Sequence, residues 1–204
     1  MGYIIIEGEN MKKIIGFFVI LSLFIVSNAF SGPFGIEFGM TLEQIRQIST
    51  TTPENIGDNF YVITPPNTHE LFELYAVQIH PTFGVYFIKA ISRSISTNGH
   101  GTELIARFNN LVSNIERIYG NYLRIDRLNP ESIFNRSQDF MYTLSRGDRE
   151  LAVFWHREEG SRLPDDISEI IIGAEARNTS NGFIVIEYYS INYEDIEEEQ
   201  SSVF

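Results

Sequence analysis

Between residues 102 and 120 the apolar side chains recur at Leu104, Phe108, Leu111, Ile115 and Ile118, in alternating steps of four and three. That is the spacing of a single helix face, so the segment predicts the clearest amphipathic helix of the chain. Gly120 is placed to close it in the left-handed conformation. Residues 71–91, LFELYAVQIHPTFGVYFIKAI, follow a different rule. They are rich in aromatic and β-branched residues and break at His80-Pro81-Thr82-Phe83-Gly84, which predicts two strands joined by a short loop. Leu71, Glu73, Tyr75, Val77 and Ile79 share a face in the first strand. Phe83, Val85, Phe87 and Ile91 share one in the second, with Lys89 on the same side. A loop this short makes the pair antiparallel.

The last third is patterned mostly as strand. Residues 140–144 and 150–156 flank the turn-rich Ser145-Arg146-Gly147-Asp148-Arg149 and predict a hairpin; residues 170–177 and 183–190 predict another across Asn178-Thr179-Ser180-Asn181-Gly182. Helix starts are expected at three places. Thr41 and Gln44 have capping-box spacing, with Met40 and Ile45 as a hydrophobic staple, and this helix should be over by Pro53. Asn129-Pro130 predicts a short helix through Phe134, and Pro164-Asp165-Asp166-Ile167 a brief helical lead into the next strand. No linker divides the pattern. The fold class expected is α+β: one domain over 30–193, with an antiparallel sheet of about five or six strands packed against one long helix and one or two short ones.

The N-terminal region changes the picture of where the protein works. Lys12 and Lys13 precede the apolar run 14–26, which is followed by Ser27-Asn28-Ala29. Charged, apolar and small residues in that order predict a secretory signal peptide over 1–29. The run is short for a membrane span, which needs about 20 residues. Glu7 and Glu9 ahead of the lysines are unusual for such a leader, and Met11 opens a conventional one, so residues 1–10 read as an over-extended start. Cleavage after Ala29 would remove two acids and two bases, leaving the formal charge at −12. An exported protein, periplasmic or extracellular, is expected, with no stable membrane span after cleavage.

The acidic balance, 27 Asp and Glu against 15 Lys and Arg, argues against nucleic acid as a partner. With no cysteine, thiol catalysis, thiolate metal sites and disulfides are excluded. The histidines His69, His80, His100 and His156 stand in no metal-ligand pair; His69-Glu70 with Glu73 lacks the second histidine of a zinc motif. No nucleophile elbow, phosphate loop or calcium loop is present, so no cofactor and no metal are predicted. His100, between two glycines ahead of the long helix, is the one catalytic candidate, because loops of this kind hold functional side chains. Trp155, Tyr188, Tyr189 and Tyr193 are the candidate binding surface, since aromatic residues serve as interface anchors; core packing accounts for them equally well. After Tyr193 the acidic tail 194–204 is either a solvated helix or a frayed end.

Residues Phe34, Gly35, Ile36, Phe38, Gly39, Met40, Thr41 and Ile45 carry a resemblance. Their pattern, FGI-x-FGM-[ST], is similar to the start of a class of small exported bacterial α+β proteins of uncharacterised activity. The Gly-Met-Thr turn into a helix also resembles that of the BamE-like envelope-assembly lipoproteins, whose lipid-bearing cysteine this longer chain lacks. The resemblance covers fewer than twenty residues; it implies export and a helix start, and carries over no catalytic residue. The leading expectation is an exported non-enzymatic domain that binds a protein or a cell-envelope component. An envelope hydrolase using dispersed His, Asp and Glu residues is one alternative, and an acidic inhibitor or immunity-like protein another.

Overall fold

The computed structural model describes residues 32–201, with side chains through Glu199. The leader lies outside the described residues. After a 3-10 turn at Pro33–Gly35 come helix α1 (Leu42–Ile48), strands β1 (Glu54–Gly57), β2 (Phe60–Ile63), β3 (Phe72–His80), β4 (Gly84–Ser92) and β5 (Ile95–Ser96), helix α2 (Thr102–Tyr119), strand β6 (Leu123–Leu128), helix α3 (Phe140–Ser145), strands β7 (Arg149–His156), β8 (Ile167–Asn178) and β9 (Asn181–Ser190), and helix α4 (Tyr193–Ser201). The α+β class holds, with nine strands among the described residues where about five or six were expected. The sheet order is β1-β2-β3-β4-β9-β8-β7-β6, every pair antiparallel, and β5 continues the line of β4 along β9. Two meanders therefore meet at β4 and β9, and α2 is the crossover from one to the other.

The start of the domain explains its own motif. Thr41 and Gln44 form the capping box, with Thr41 N donating to Gln44 Oε1 at 2.8 Å and Gln44 N to Thr41 Oγ1 at 3.3 Å. Ahead of it, Gly39 N donates to Val85 O and Val85 N to Met40 O, both at 2.8 Å, so this segment is stitched to the first residues of β4. At Gly84 a Cβ would lie 2.2 Å from Gly39 O, and φ is +69°, so only glycine permits that approach. Phe34 packs edge-on against Phe72, Tyr75 and Tyr188, and Ile36 is fully buried.

Helix α1 stops five residues before Pro53. Ser49 is extended, and its Oγ lies 3.2 Å from both the nitrogen and the oxygen of Thr64, which pins the chain beside the end of β2. The β1–β2 hairpin was not foreseen. It turns through Asp58 and Asn59, both at positive φ, the conformation that matches the twist of two-residue hairpins.

The expected hairpin of 140–144 with 150–156 is corrected: residues 140–144 are helical. Phe140, Met141 and Leu144 are buried together, a helical spacing rather than alternation, and Met141 N donates to Gly99 O at 3.0 Å. The partners of β7 are β8 on one edge and β6 on the other, the latter paired from Leu123–Phe154 to Leu128–Arg149. No helix forms at 130–134, where a turn follows Asn129, and Asp165-Asp166 is likewise a turn that leads directly into β8.

The main core lies between the sheet and helices α1, α2 and α3. Leu104, Phe108, Leu111 and Val112 from α2 meet Val153, Trp155, Ile170, Ile172, Ile184 and Ile186 from the sheet. Asn98 Oδ1 accepts from Thr102 N and Thr97 Oγ1 from Glu103 N, capping α2 from upstream. On the opposite face a second, smaller cluster joins Tyr86, Phe87 and Ile196 with Phe60, Tyr189 and Tyr193.

Candidate functional site

Because side chains alternate across a strand, each residue facing the main core leaves its neighbours on the other face of the sheet. On that face, Leu123, Phe154, Ile171, Glu187, Lys89, Ala76 and Val62 stand opposite one another from strand to strand. A parallel row runs Ile125, Ala152, Gly173, Val185, Ile91 and Leu74. A third runs His156, Glu169, Tyr189, Phe87, Gln78 and Phe60. Helix α4 reaches this face only at the third row, through Ile196 and Tyr193. The other two rows have no helix over them among the described residues; Leu123 and Leu74 at their ends are 47% and 36% exposed, while Ala76, Ala152 and Val185 within them are buried.

Polar groups cross the apolar band. Lys89 Nζ lies 2.7 Å from Glu187 Oε1, and Tyr189 donates its hydroxyl to Glu187 Oε2 at 2.8 Å. Both members of the ion pair are largely shielded, with side chains 29% and 19% exposed. Glu169 sits next to His156 across β7 and β8. Burial pushes its carboxyl above the usual range; His156 opposes that shift, while Glu194 and Glu187 add to it. Tyr189 and Tyr193 are raised too, first by burial and then by neighbouring carboxylates, Glu187 for the one and Glu197 and Glu187 for the other. His156, Glu159, Glu169, Leu123, Ile125 and Phe154 border a shallow concavity of about 260 Å³.

The four aromatic residues singled out from the sequence divide between the two faces. Trp155 is fully buried and donates Nε1–H to Gly120 O at 3.0 Å. Tyr188 is 5% exposed in the main core, against Phe34, and burial raises its hydroxyl. Neither contributes to a surface. Tyr189 and Tyr193 meet on the open face at 4.7 Å, edge to face, with Phe87 beside both. Adjacent strand residues must point apart, which separates Tyr188 from Tyr189.

His100 is exposed in the loop before α2 and forms no ion pair among the described residues. His80 has a turn role: its Nδ1 accepts from Thr82 N and Phe83 N. No group of three or more His, Asp or Glu able to hold a metal ion exists among the described residues, and the chain has no cysteine.

The sequence reading missed Phe154, Ile171, Glu169 and Glu187. A signal was present in β7, where Leu151, Val153 and Trp155 alternate with Ala152 and Phe154, so that both faces are apolar, as in strands covered on both sides. Here one side is covered only in part. Among the described residues no helix is long and apolar enough to cross a membrane. In comparisons with known proteins, no family model, no curated protein and no solved structure matches this chain.

Proposed function

We propose that this is an exported binding domain for a protein or cell-envelope component, and that the open sheet face is its contact surface. One observation carries the reading: the apolar rows through Leu123, Phe154 and Ile171 and through Ile125, Ile91 and Leu74 have no helix over them. Exposed apolar bands with a polar rim mark interaction sites. The rim is acidic, with Glu169 and Glu175 on the sheet and Glu194 and Asp195 on α4. It fits a partner that presents apolar side chains together with basic ones. Export rests on the leader pattern and on the FGI-x-FGM-T resemblance. The hydrolase reading gains nothing from His100, which has no carboxylate partner among the described residues.

The test is to express the full chain in a bacterial host, fractionate the cells and place a photo-crosslinking residue at Ile171 or, as a control, at Asn109 on α2. A defined adduct from position 171 alone, in the exported fraction, supports the proposal. Cytoplasmic retention would overturn export, and equal or absent crosslinking at the two positions would overturn the assigned surface.

A further inference from the structure

A second concave surface lies on the opposite side of the molecule, between α2 and the ends of β3 and β4. Two adjoining cavities of about 460 and 340 Å³ share Glu70, Leu71, Arg93 and Arg107 as walls. The larger is completed by His69, Asn110, Leu111 and Asn114. Arginine charge is scarce in this acidic domain, and most of it is already engaged. Ion pairs hold Arg46, Arg127, Arg136, Arg146, Arg149 and Arg157, while Arg124 and Arg177 lie over aromatic rings. The side chains of Arg93 and Arg107 form no ion pair, hydrogen bond or ring contact among the described residues, although Glu70 and Glu103 line the same trough.

The backbone around these donors is held in place. His69 Nδ1 accepts from Leu71 N at 3.1 Å, which leaves the proton of the neutral ring on Nε2 as a free donor. The backbone on either side of that ring is clamped, with His69 N donating to Tyr75 Oη at 2.8 Å and the Tyr75 hydroxyl donating to His69 O at 3.2 Å. Asn114 Nδ2 donates to Asn110 Oδ1 at 3.3 Å, leaving the Asn110 amide nitrogen as a further donor. At the other wall, Arg93 N donates to Leu71 O at 3.1 Å and Ser92 Oγ to Arg93 O at 2.9 Å, so the backbone that carries the guanidinium is held from two sides.

Two guanidinium groups, an imidazole N–H and an amide N–H line the larger cavity, and Glu70 on its wall forms an ion pair with neither guanidinium. Guanidinium groups bind carboxylate and phosphate oxygens through paired, charge-assisted hydrogen bonds. We propose that this trough is a binding site for an anionic oxyacid group, carboxylate or phosphate, on a small ligand, with Arg93 and Arg107 as its charged contacts. It is separate from the open sheet face and does not depend on the function proposed for that face.

Titration of the isotope-labelled purified protein with inorganic phosphate and, separately, with succinate, followed by amide chemical shifts at constant ionic strength, tests this. Shifts centred on Leu71, Arg93, Arg107 and Asn110, saturating at concentrations up to about 10 mM, are expected for at least one of the two anions. Which anion saturates identifies the group. Arg93→Gln and Arg107→Gln should each weaken that response about tenfold. Arg107 is an exposed helix position, so its variant keeps the fold even if Arg93→Gln perturbs it. No saturating shift with either anion, the same shifts with chloride, or an undiminished response in folded Arg107→Gln would overturn the proposal.

Discussion

Trp155 reaches from near the end of β7 to the end of α2, where its indole N–H donates to the carbonyl oxygen of Gly120 at 3.0 Å. The bond joins the last turn of the crossover helix to a strand on the far side of the core. Gly120 itself has φ +79° and ψ −142°, a conformation open to glycine and costly for other residues. Trp155→Phe keeps an aromatic ring but leaves that carbonyl without its donor. The expected loss is about 1–3 kcal/mol in urea unfolding, with the fold retained by circular dichroism.

Gly84 should be intolerant of any side chain. A Cβ there meets Gly39 O at 2.2 Å and Met40 O at 2.8 Å, both backbone atoms. Gly84→Ala must push the Gly39–Met40 segment off β4 and also strain a left-handed residue. A loss of at least about 2 kcal/mol is expected, measured as a lowered midpoint of thermal or denaturant unfolding.

Ser92 is fully buried where β4 gives way to β5, and its Oγ accepts from Ile184 N at 2.9 Å, in place of a backbone partner in the β4–β9 ladder. Ser92→Ala leaves that buried N–H unpaired. It should cost about 1–3 kcal/mol and accelerate hydrogen exchange at the Ile184 amide more than at Ile186.

The raised carboxyl of Glu169 makes stability depend on pH in a stated direction. A carboxyl that holds its proton more tightly in the folded state contributes most below its ordinary value of 4.5, and that contribution is lost as pH rises through the raised value. Glu169→Gln should therefore raise the melting temperature near neutral pH and leave it unchanged well below 4.5. The groups facing it set the remainder: Glu187 and Glu194 add to the gain, and loss of the attraction to His156 subtracts from it. A melting temperature lowered at neutral pH would contradict this account.

Where local rules act alone, the sequence was enough to place the elements. The steps of four and three from Leu104 to Ile118 determined α2, and the capping pair Thr41 and Gln44 determined the start of α1. The loops at 80–84 and 178–182 determined two hairpins, because turn chemistry is short-range. Tertiary contacts decided the rest. Residues 140–144 are apolar enough for either strand or helix, and docking of Met141 onto Gly99 made them helical. Strand β6 has only three apolar residues, Leu123, Ile125 and Leu128, and pairs along the edge that β7 offers it.

The candidate sites were still less legible, for a physical reason. A strand's alternation tells which residues share a face, so Tyr188 and Tyr189 were bound to point apart. Which of the two faces would be covered depends on where α2 and α3 pack, and no local pattern records that. The same holds for Arg93, just past the end of β4, and Arg107, on α2, which are separated along the chain. Only the packing of α2 against the end of β4 places them on one trough.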